Sequence, residues 1–399
     1  MRNRNLTITK KEGKRLYQEI FQKTLVAKEI MNTRFEPTLR FGESVERVSY
    51  DISGVKVRDV SRGSASTIDT ITDSSELLEV NLEKEAVFHI SDGEVTQAGP
   101  LNPGEVIGGK VGHKVAQDLD HRCFLEVRNA ANTFDAGDLT TTASTGTPIT
   151  LSSTTVPQMT TRMAAKLRSK ENQEVSTNMA LVVDSYAAAD IEQYLLGKDI
   201  DIAGSVFRNG YAGVVRNAVM YVSENLAGEY TQVVDVATAD ETITIEGVTF
   251  TAKATPSAAG EFDIAGSVDA QGAIMANMIN GAATGQDSAT GYFEVSAADR
   301  ETLENAQIVA SYNDATNTLT ITGAGRIAVS TTMSGTTNDW LNCYFGKKGS
   351  IDLVVQDMSP VDMRPTDDRR GTNVFSSYLA GIKTFTDGSK KFLQVKVAI

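Results

Sequence analysis

Cysteine is scarce: Cys123 and Cys343 are the only two in 399 residues. They are too few and too far apart for a disulfide framework, and both read as buried apolar side chains. No apolar run approaches the roughly eighteen residues that a helix needs to cross a bilayer, so no membrane partner is expected. The basic start "MRNRNLTITKKEGKR" leads into no apolar block and no small-residue cleavage site. It does not read as a secretory signal, and synthesis and assembly in the cytoplasm are expected.

The marks of catalysis are missing too. There is no Gly-x-Ser-x-Gly elbow and no Walker loop, and "GEVIGGKVGHKV" lacks the spacing of a phosphate cradle or a dinucleotide turn. Its glycines loosen a helix start or allow close packing. Histidine occurs three times, as His89, His113 and His121. His121 and Cys123, with Asp118 and Asp120 beside them, come nearest to a ligand set. Residues two apart on a helix point about 200° from each other, so they do not close on one ion. Asp367-Asp368 followed by Arg369-Arg370 is a charge cluster in a loop, where acid–base work is conceivable. A solvated turn or an intersubunit salt bridge is the simpler reading. Asparagine and lysine are plentiful, but no motif marks an isopeptide cross-link. The sequence therefore names no catalytic, cofactor-binding or metal residues, and a non-enzymatic protein is expected.

Positive charge is the most unevenly distributed property. The formal net charge is -13, which argues against wrapping nucleic acid on a basic face. Between Glu229 and Asp339 there are 15 acidic residues and three basic ones, Lys253, Arg300 and Arg326, a local net of -12. The rest of the chain sums to about -1 by the same count. By contrast, the first fifteen residues hold six basic side chains and one acidic one. They suit a phosphate backbone or an acidic partner, or form a solvated tail.

Enough hydrophobic residues are present, 41% of the chain, to bury the cores of two or three domains. Thr9-x-x-Glu12 resembles a capping box, and Leu16, Ile20, Ala27, Ile30 and Met31 trace an amphipathic helix to about Asn32. From Val45 to Gln97 short alternating runs predict strands and hairpins, with a polar excursion, "SRGSASTIDTITDSS", between them. Pro103 then opens a helical stripe of Ile107, Val111, Val115, Leu119, Cys123 and Val127, widened by Ala116, Phe124 and Ala130. It breaks near Asn132, predicting a helix of roughly eight turns. "DLTTTASTGTPITLSSTT" reads as a loop or weak strand. A helix with Pro157 in its first turn runs to about Ser169. "NMALVVDS" is a buried strand, Tyr186 to Leu196 a helix stopped by Gly197, and "VVRNAVMYVSEN" a strand.

The acidic segment has its own pattern: a hairpin turning at Glu246-Gly247, a helix from Ser267 to Asn280 ending before Gly281, and a second hairpin around Asn313 to Asn317. Regular apolar alternation is inconsistent with a disordered linker. An autonomous domain inserted into a host domain explains the charge break. Strands resume in "GSIDLVVQDMSP" and "KKFLQVKVAI". Arms that cannot bury their own faces need surface on neighbours, as in a lattice subunit.

In that order, the segments resemble the major capsid proteins of tailed phages with the Hong Kong 97 fold. "ELLEVNLEKEAVFHISDGEVTQ" resembles the returning half of that family's extended β-loop, and "GEVIGGKVGHKVAQDLDHRCFLEV" its spine helix. "MALVVDSYAAADIEQYLL" and "AGSVFRNGYAGVVRNAVMYVSENL" resemble the buried strand, short helix and turn-and-strand of its axial domain. "FGKKGSIDLVVQD" and "SSYLAGIKTFTDGSKKFLQVKV" resemble its later strands. An insertion at this point resembles the coat proteins of short-tailed phages that carry an accessory domain.

The resemblance implies an α+β fold in six parts. They are an N-terminal arm with a helix (1–44), an extended β-loop (45–99), the spine helix of a peripheral domain (100–133), the first part of an axial domain (134–228), an inserted acidic β-rich domain (229–339), and the completion of both domains (340–399). It implies self-assembly into hexamers and pentamers of an icosahedral shell. It also implies a portal and decoration proteins as partners, with double-stranded DNA held non-specifically on the inner surface of a virion. Because the spine begins near Pro103 with the β-arm already placed, unlike members with a long N-terminal scaffolding segment, a separate scaffolding protein is expected. The acidic segment is expected to face outward or lie along subunit boundaries, and the basic N-terminus inward. The alternative is a surface-exposed tail or adhesion protein with the acidic segment as its binding module, against which stand the lack of internal repeats and the long helix.

Overall fold

A computed structural model describes residues 26–36, 42–51, 55–59, 68–90, 103–140, 146–171, 178–196, 214–215, 218–365 and 371–399. The first part of the chain gives α1 (Val26–Ile30), β1 (Ser44–Asp51), β2 (Thr72–Glu79), β3 (Leu82–Ile90) and α2 (Pro103–Leu125). Next come β4 (Asn132–Phe134), α3 (Ala136–Leu139), α4 (Thr155–Glu171), β5 (Met179–Val183), α5 (Ser185–Leu196), β6 (Val214–Val215), β7 (Ala218–Val222) and β8 (Ala227–Val233). The acidic segment continues with β9 (Thr242–Ile245), β10 (Val248–Lys253), β11 (Glu261–Asp263), α6 (Val268–Asn280), α7 (Ala297–Asn305), β12 (Val309–Asn313), β13 (Thr318–Ala324) and β14 (Val329–Thr331). Then follow β15 (Thr337–Lys347), β16 (Asp352–Pro365), β17 (Thr372–Lys383), α8 (Thr386–Ser389) and β18 (Phe392–Ala398). The fold is mixed α+β. It divides into two compact units, residues 1–126 with 348–391 and residues 127–347 with 392–399.

In the first unit, α2 buries the later part of the stripe expected of it: Val115, Ala116, Leu119, Cys123 and Phe124 are all inaccessible or nearly so, Val111 is half-buried, and the Ile107 side chain lies outside the described residues. The helix spans 23 residues and ends at Leu125, shorter than the eight turns expected. Glu126–Asn129 tightens into a 3-10 turn, and Asn132–Phe134 is taken up as a strand parallel to β18. Asp120, buried within the apolar stripe, accepts the backbone N–H of Ala27 at 2.7 Å. That bond satisfies one of the donors a helix start leaves open and fastens α1 to α2. The expected N-terminal helix is described only from Val26 to Ile30; its earlier turns, Gly197 and Asp367–Arg370 lie outside the described residues.

β16, β17 and β3 form an antiparallel sheet in that order. β1 pairs antiparallel with β2, Ser44 opposite Glu79 through Asp51 opposite Thr72. Thr72–Ser75, expected within the polar excursion, therefore belongs to a strand. Its residues carry no apolar alternation because backbone pairing alone recruits them.

Leu78 packs on Val354 and Phe385, with Phe35, Val45 and Val80 around them. Beside this cluster Asp352, 2% exposed, accepts a short hydrogen bond from the Asn32 side chain. Burial pushes its carboxyl up to about 6. A carboxyl whose folded pKa exceeds its unfolded value favours the folded state only when protonated. Its penalty is thus fully present above about pH 6 and disappears as pH falls toward 4. Asp352→Asn, which keeps an acceptor for Asn32, is expected to stabilise the chain by on the order of 1 kcal/mol at pH 8 and by little at pH 4. Urea unfolding at the two pH values measures the difference.

The second unit is built on one nine-stranded sheet, β12-β13-β8-β15-β5-β7-β6, with β18 on β15 and β4 on β18. Asn342 faces Ala227 on one side and Lys396 on the other, and Tyr344 likewise faces Val182 and Gln394. β8 and β5 therefore follow one another along one edge of β15, and β18 runs along the other. β5 is buried at every position, as its unbroken apolar run predicts. α4 begins at Thr155, with Pro157 in its first turn as expected.

Both boundaries of the acidic segment fall inside strands of this sheet: Gly228 lies in β8 and Asp339 in β15. The segment also has a second sheet, β11-β10-β9-β14. The buried residues of one hydrophobic cluster, running from Tyr230 to Met333 and including Phe250, Phe262, Met275, Ile279 and Ile321, all fall in the segment, and Ile399 packs against them. The expected hairpin turns at Glu246 and Gly247, φ 50° and 82°, the geometry of a type I′ turn. The expected helix is capped by Ser267, which accepts from Ala270 N–H, and ends at a left-handed Gly281. The hairpin of β12 and β13 is present as well.

At the sheet edge, the Asn280 carboxamide donates to Ala310 O and accepts from Ala310 N, both at 2.8 Å. It occupies the groups that an incoming strand would use.

Candidate assembly surfaces

The two faces of the β1–β2 ribbon have different fates. On one, Leu78 is buried, Arg47 reaches Asp387 at 2.5 Å, and Glu76 accepts from Thr386 N–H at 2.9 Å. On the other, Val48 and Leu77 are 49% and 43% exposed. In register, Glu46 faces Leu77 and Val48 faces Ser75, so Val48 and Leu77 are diagonal neighbours. Adjacent residues on a strand point to opposite faces. Leu77-Leu78 must therefore place one leucine in the core and the other outside, a signal legible in the sequence but not singled out there.

Exposure continues past the ribbon. Val55, Val57, Ile68 and Ile71 are 48%, 103%, 92% and 58% exposed. Arg58 holds these stretches together through both oxygens of Asp69 at 2.7 Å, with Lys56 N–H on the same carboxylate. The guanidinium keeps the Asp69 carboxyl below the ordinary range. Six of the twelve large apolar side chains exposed among the described residues thus lie between positions 48 and 77. That concentration exceeds the scatter of an ordinary surface.

The residues weighed for chemistry are dispersed. His121 and Cys123 are both buried in α2, but Asp120 is engaged by Ala27 and Asp118 accepts from the Tyr378 hydroxyl. Burial drives the Tyr378 phenol strongly upward, which keeps it a donor. His113 is exposed, and His89 meets Asn373 at 2.9 Å. Among the described residues no group of three His, Cys, Asp or Glu side chains is arranged to hold a metal. Both cysteines are free and buried, and burial pushes both thiols well above their ordinary range, so neither is a nucleophile at neutral pH.

The three cations of the acidic segment are all paired inside it or to its neighbour in the sheet. Lys253 meets Asp240 at 2.5 Å, Arg300 meets Glu294 at 2.5 Å, and Arg326 meets the buried Asp184 at 2.5 Å. Asp184 also accepts the Ala187 N–H at the start of α5. Arg300 further donates to Ile279 O at 2.7 Å and Met278 O at 3.0 Å, closing the carbonyl end of α6.

No family model matches the chain, and no curated protein matches it. Solved structures resemble it over nearly its whole length. One from Mycobacterium phage Che8 has a TM-score of 0.49 at 13% identity, over 92% of this chain and 90% of that one. The capsid of cyanophage P-SCSP1u has a TM-score of 0.45 at 12% identity, over 90% and 84%. The mature capsid of bacteriophage PhiM1 has a TM-score of 0.45 at 12% identity, over 89% and 82%.

Proposed function

We propose that the chain is a structural major capsid protein of a tailed phage. On this reading it assembles as hexamers and pentamers into an icosahedral shell around double-stranded DNA. The observation that carries the reading is the β1–β2 ribbon and its continuation, whose apolar residues the chain leaves uncovered while its opposite face is seated on its own core. A subunit of that kind completes its burial only against copies of itself. The ribbon stands next in the chain to the long buried helix α2 and then to an α/β sheet, the order that the sequence resemblance implies.

Residues 229–339 act as an accessory domain on this reading, supported by the second sheet they form and by a hydrophobic cluster whose buried residues all fall within them. A segment of net charge -12 by residue count is repelled by packaged DNA at short range, so it lies outside the shell or along subunit boundaries. A separate scaffolding protein, a portal and decoration proteins complete the particle, and the shell is assembled in the host cytoplasm.

Negative-stain imaging of the chain, expressed alone and with a candidate scaffolding protein from the same virus, tests the proposal. Closed shells or curved sheets are the expected result. Uniform small particles under both conditions would overturn it in favour of a surface adhesion role.

A further inference from the structure

One face of α2 is open over one stretch and covered over the next. Lys110, His113, Lys114 and Gln117 stand at the i, i+3, i+4 and i+7 positions of a single helix face, and all four are exposed. The same spacing runs on from Gln117 into Asp120, His121 and Phe124, which are buried. α1 is seated at that end, where Asp120 accepts the Ala27 N–H at 2.7 Å.

Two sources of positive charge meet on this face. Residues 1–25 join the described chain at Val26, one residue before the Asp120 contact, and carry seven basic and two acidic side chains, a net of +5 by count. They therefore issue from the covered end of the face whose open end carries Lys110 and Lys114. Lys114 stands six residues before Asp120, roughly 9 Å along the helix axis, a distance that a few residues of chain span. The helix dipole accounts for cations such as Arg168 and Lys170, which lie in the last turn of α4. It does not account for Lys110 and Lys114, which stand inside a 23-residue helix at a spacing where like charges repel. Asp118, the acid that follows them on α2, is engaged by the Tyr378 hydroxyl and by Arg122 at 3.9 Å.

We propose, resting on the capsid reading above, that this face of α2 and the basic segment issuing beside it form one contact surface for the phosphate backbone of double-stranded DNA. The open face of α2 is then the side of the first unit that looks into the shell. Cations that meet backbone phosphates release condensed counterions, so attraction of this kind needs local positive charge and no contact with bases. Little of that charge is found elsewhere in the chain. Residues outside 229–339 sum to about -1 and the first twenty-five to +5, so the others outside that segment sum to about -6. Turning the open face of α2 inward brings the basic segment and both lysines to the DNA together, with His113 between them as a further hydrogen-bond donor.

Fluorescence anisotropy of a labelled, mixed-sequence DNA duplex, titrated with unassembled full-length subunits over a series of salt concentrations, tests the surface. The slope of log affinity against log salt shrinks by about 0.9 for each phosphate contact removed. Lys110→Gln together with Lys114→Gln is expected to stay folded by circular dichroism and to reduce the slope by roughly 2. Arg168→Gln together with Lys170→Gln removes as much charge from α4 and is expected to leave the slope at its wild-type value. No salt-dependent binding by the wild type, an unchanged slope for the α2 pair, or an equal reduction for both pairs would overturn the proposal. An unchanged slope combined with lost binding of the candidate scaffolding protein would assign the face to an acidic protein instead. Shells in negative stain with an unchanged slope sink this proposal alone, whereas uniform small particles sink the capsid reading on which it rests.

Discussion

Replacing Val48 and Leu77 together by aspartate is expected to abolish particle formation while leaving the subunit folded. Both side chains stand on the outer face of the ribbon, 49% and 43% exposed, and neither contributes to the cluster around Leu78, Val354 and Phe385. Exposed positions of this kind shift stability by no more than about 0.5 kcal/mol. In an assembled shell the same positions would be covered, and two buried carboxylates with no cation opposite each cost several kcal/mol at every contact. Repeated over a lattice, that cost leaves no assembled product. Sedimentation separates the outcomes: wild-type chain with its scaffold runs as large particles, and the double variant runs as free subunits with an unchanged unfolding midpoint. Shells at wild-type yield from the double variant would remove the ribbon from the contact.

A single methyl group at Gly228 is expected to cost roughly 2–3 kcal/mol and to lower the melting temperature by about 5–10 °C. Gly228 lies in β8, where the acidic segment enters the sheet. A Cβ built there would fall 2.1 Å from the carbonyl oxygen of Gly325 and 3.4 Å from Ile327 N. Both obstacles are backbone, so no rotamer change relieves them. The Gly325 N–H is moreover tied to Leu226 O at 2.7 Å, holding that loop against the strand. Gly266→Ala is the matched control, because nothing lies within 4 Å of its Cβ position. Calorimetry on the two variants should show a large loss for the first and almost none for the second. Equal melting temperatures would mean that the loop around Gly325 gives way freely.

Where sequence signals were local, they anticipated the structure closely. Glu246-Gly247 carries the left-handed backbone of a two-residue hairpin. Ser267 and Gly281 cap their helix at the two ends expected, and the unbroken apolar run Met179–Val183 sits in the middle of a sheet. In α2 the four-residue spacing of Val115, Leu119 and Cys123 is the buried stripe itself. Failures came where neighbours in sequence carry no apolar period. Thr72–Ser75 is strand only because β1 pairs with it. The helix Ala297–Asn305, capped by Ser296, buries little besides Leu303 and so lacks the stripe that marks a helix. α2 ends at Leu125, where Glu126–Asn129 tightens into a 3-10 turn, and Asn132–Phe134 is strand because it pairs with β18, from the far end of the chain.

Residue order by itself determined the strands and helices that carry a regular apolar period, where the acidic segment begins and ends in charge, and that both cysteines are buried. Each of these follows from side chains within a few residues of one another. Tertiary structure alone decided that the acidic segment enters and leaves through strands of a sheet it shares with its neighbours, and that Val48 and Leu77 remain uncovered while Leu78 is seated. It alone joined Glu229 to Asn342, 113 residues apart, and brought Lys396 opposite them. The physical reason is that strand pairing and burial are set by contacts between distant parts of the chain, and no local pattern encodes which distant strand will lie alongside.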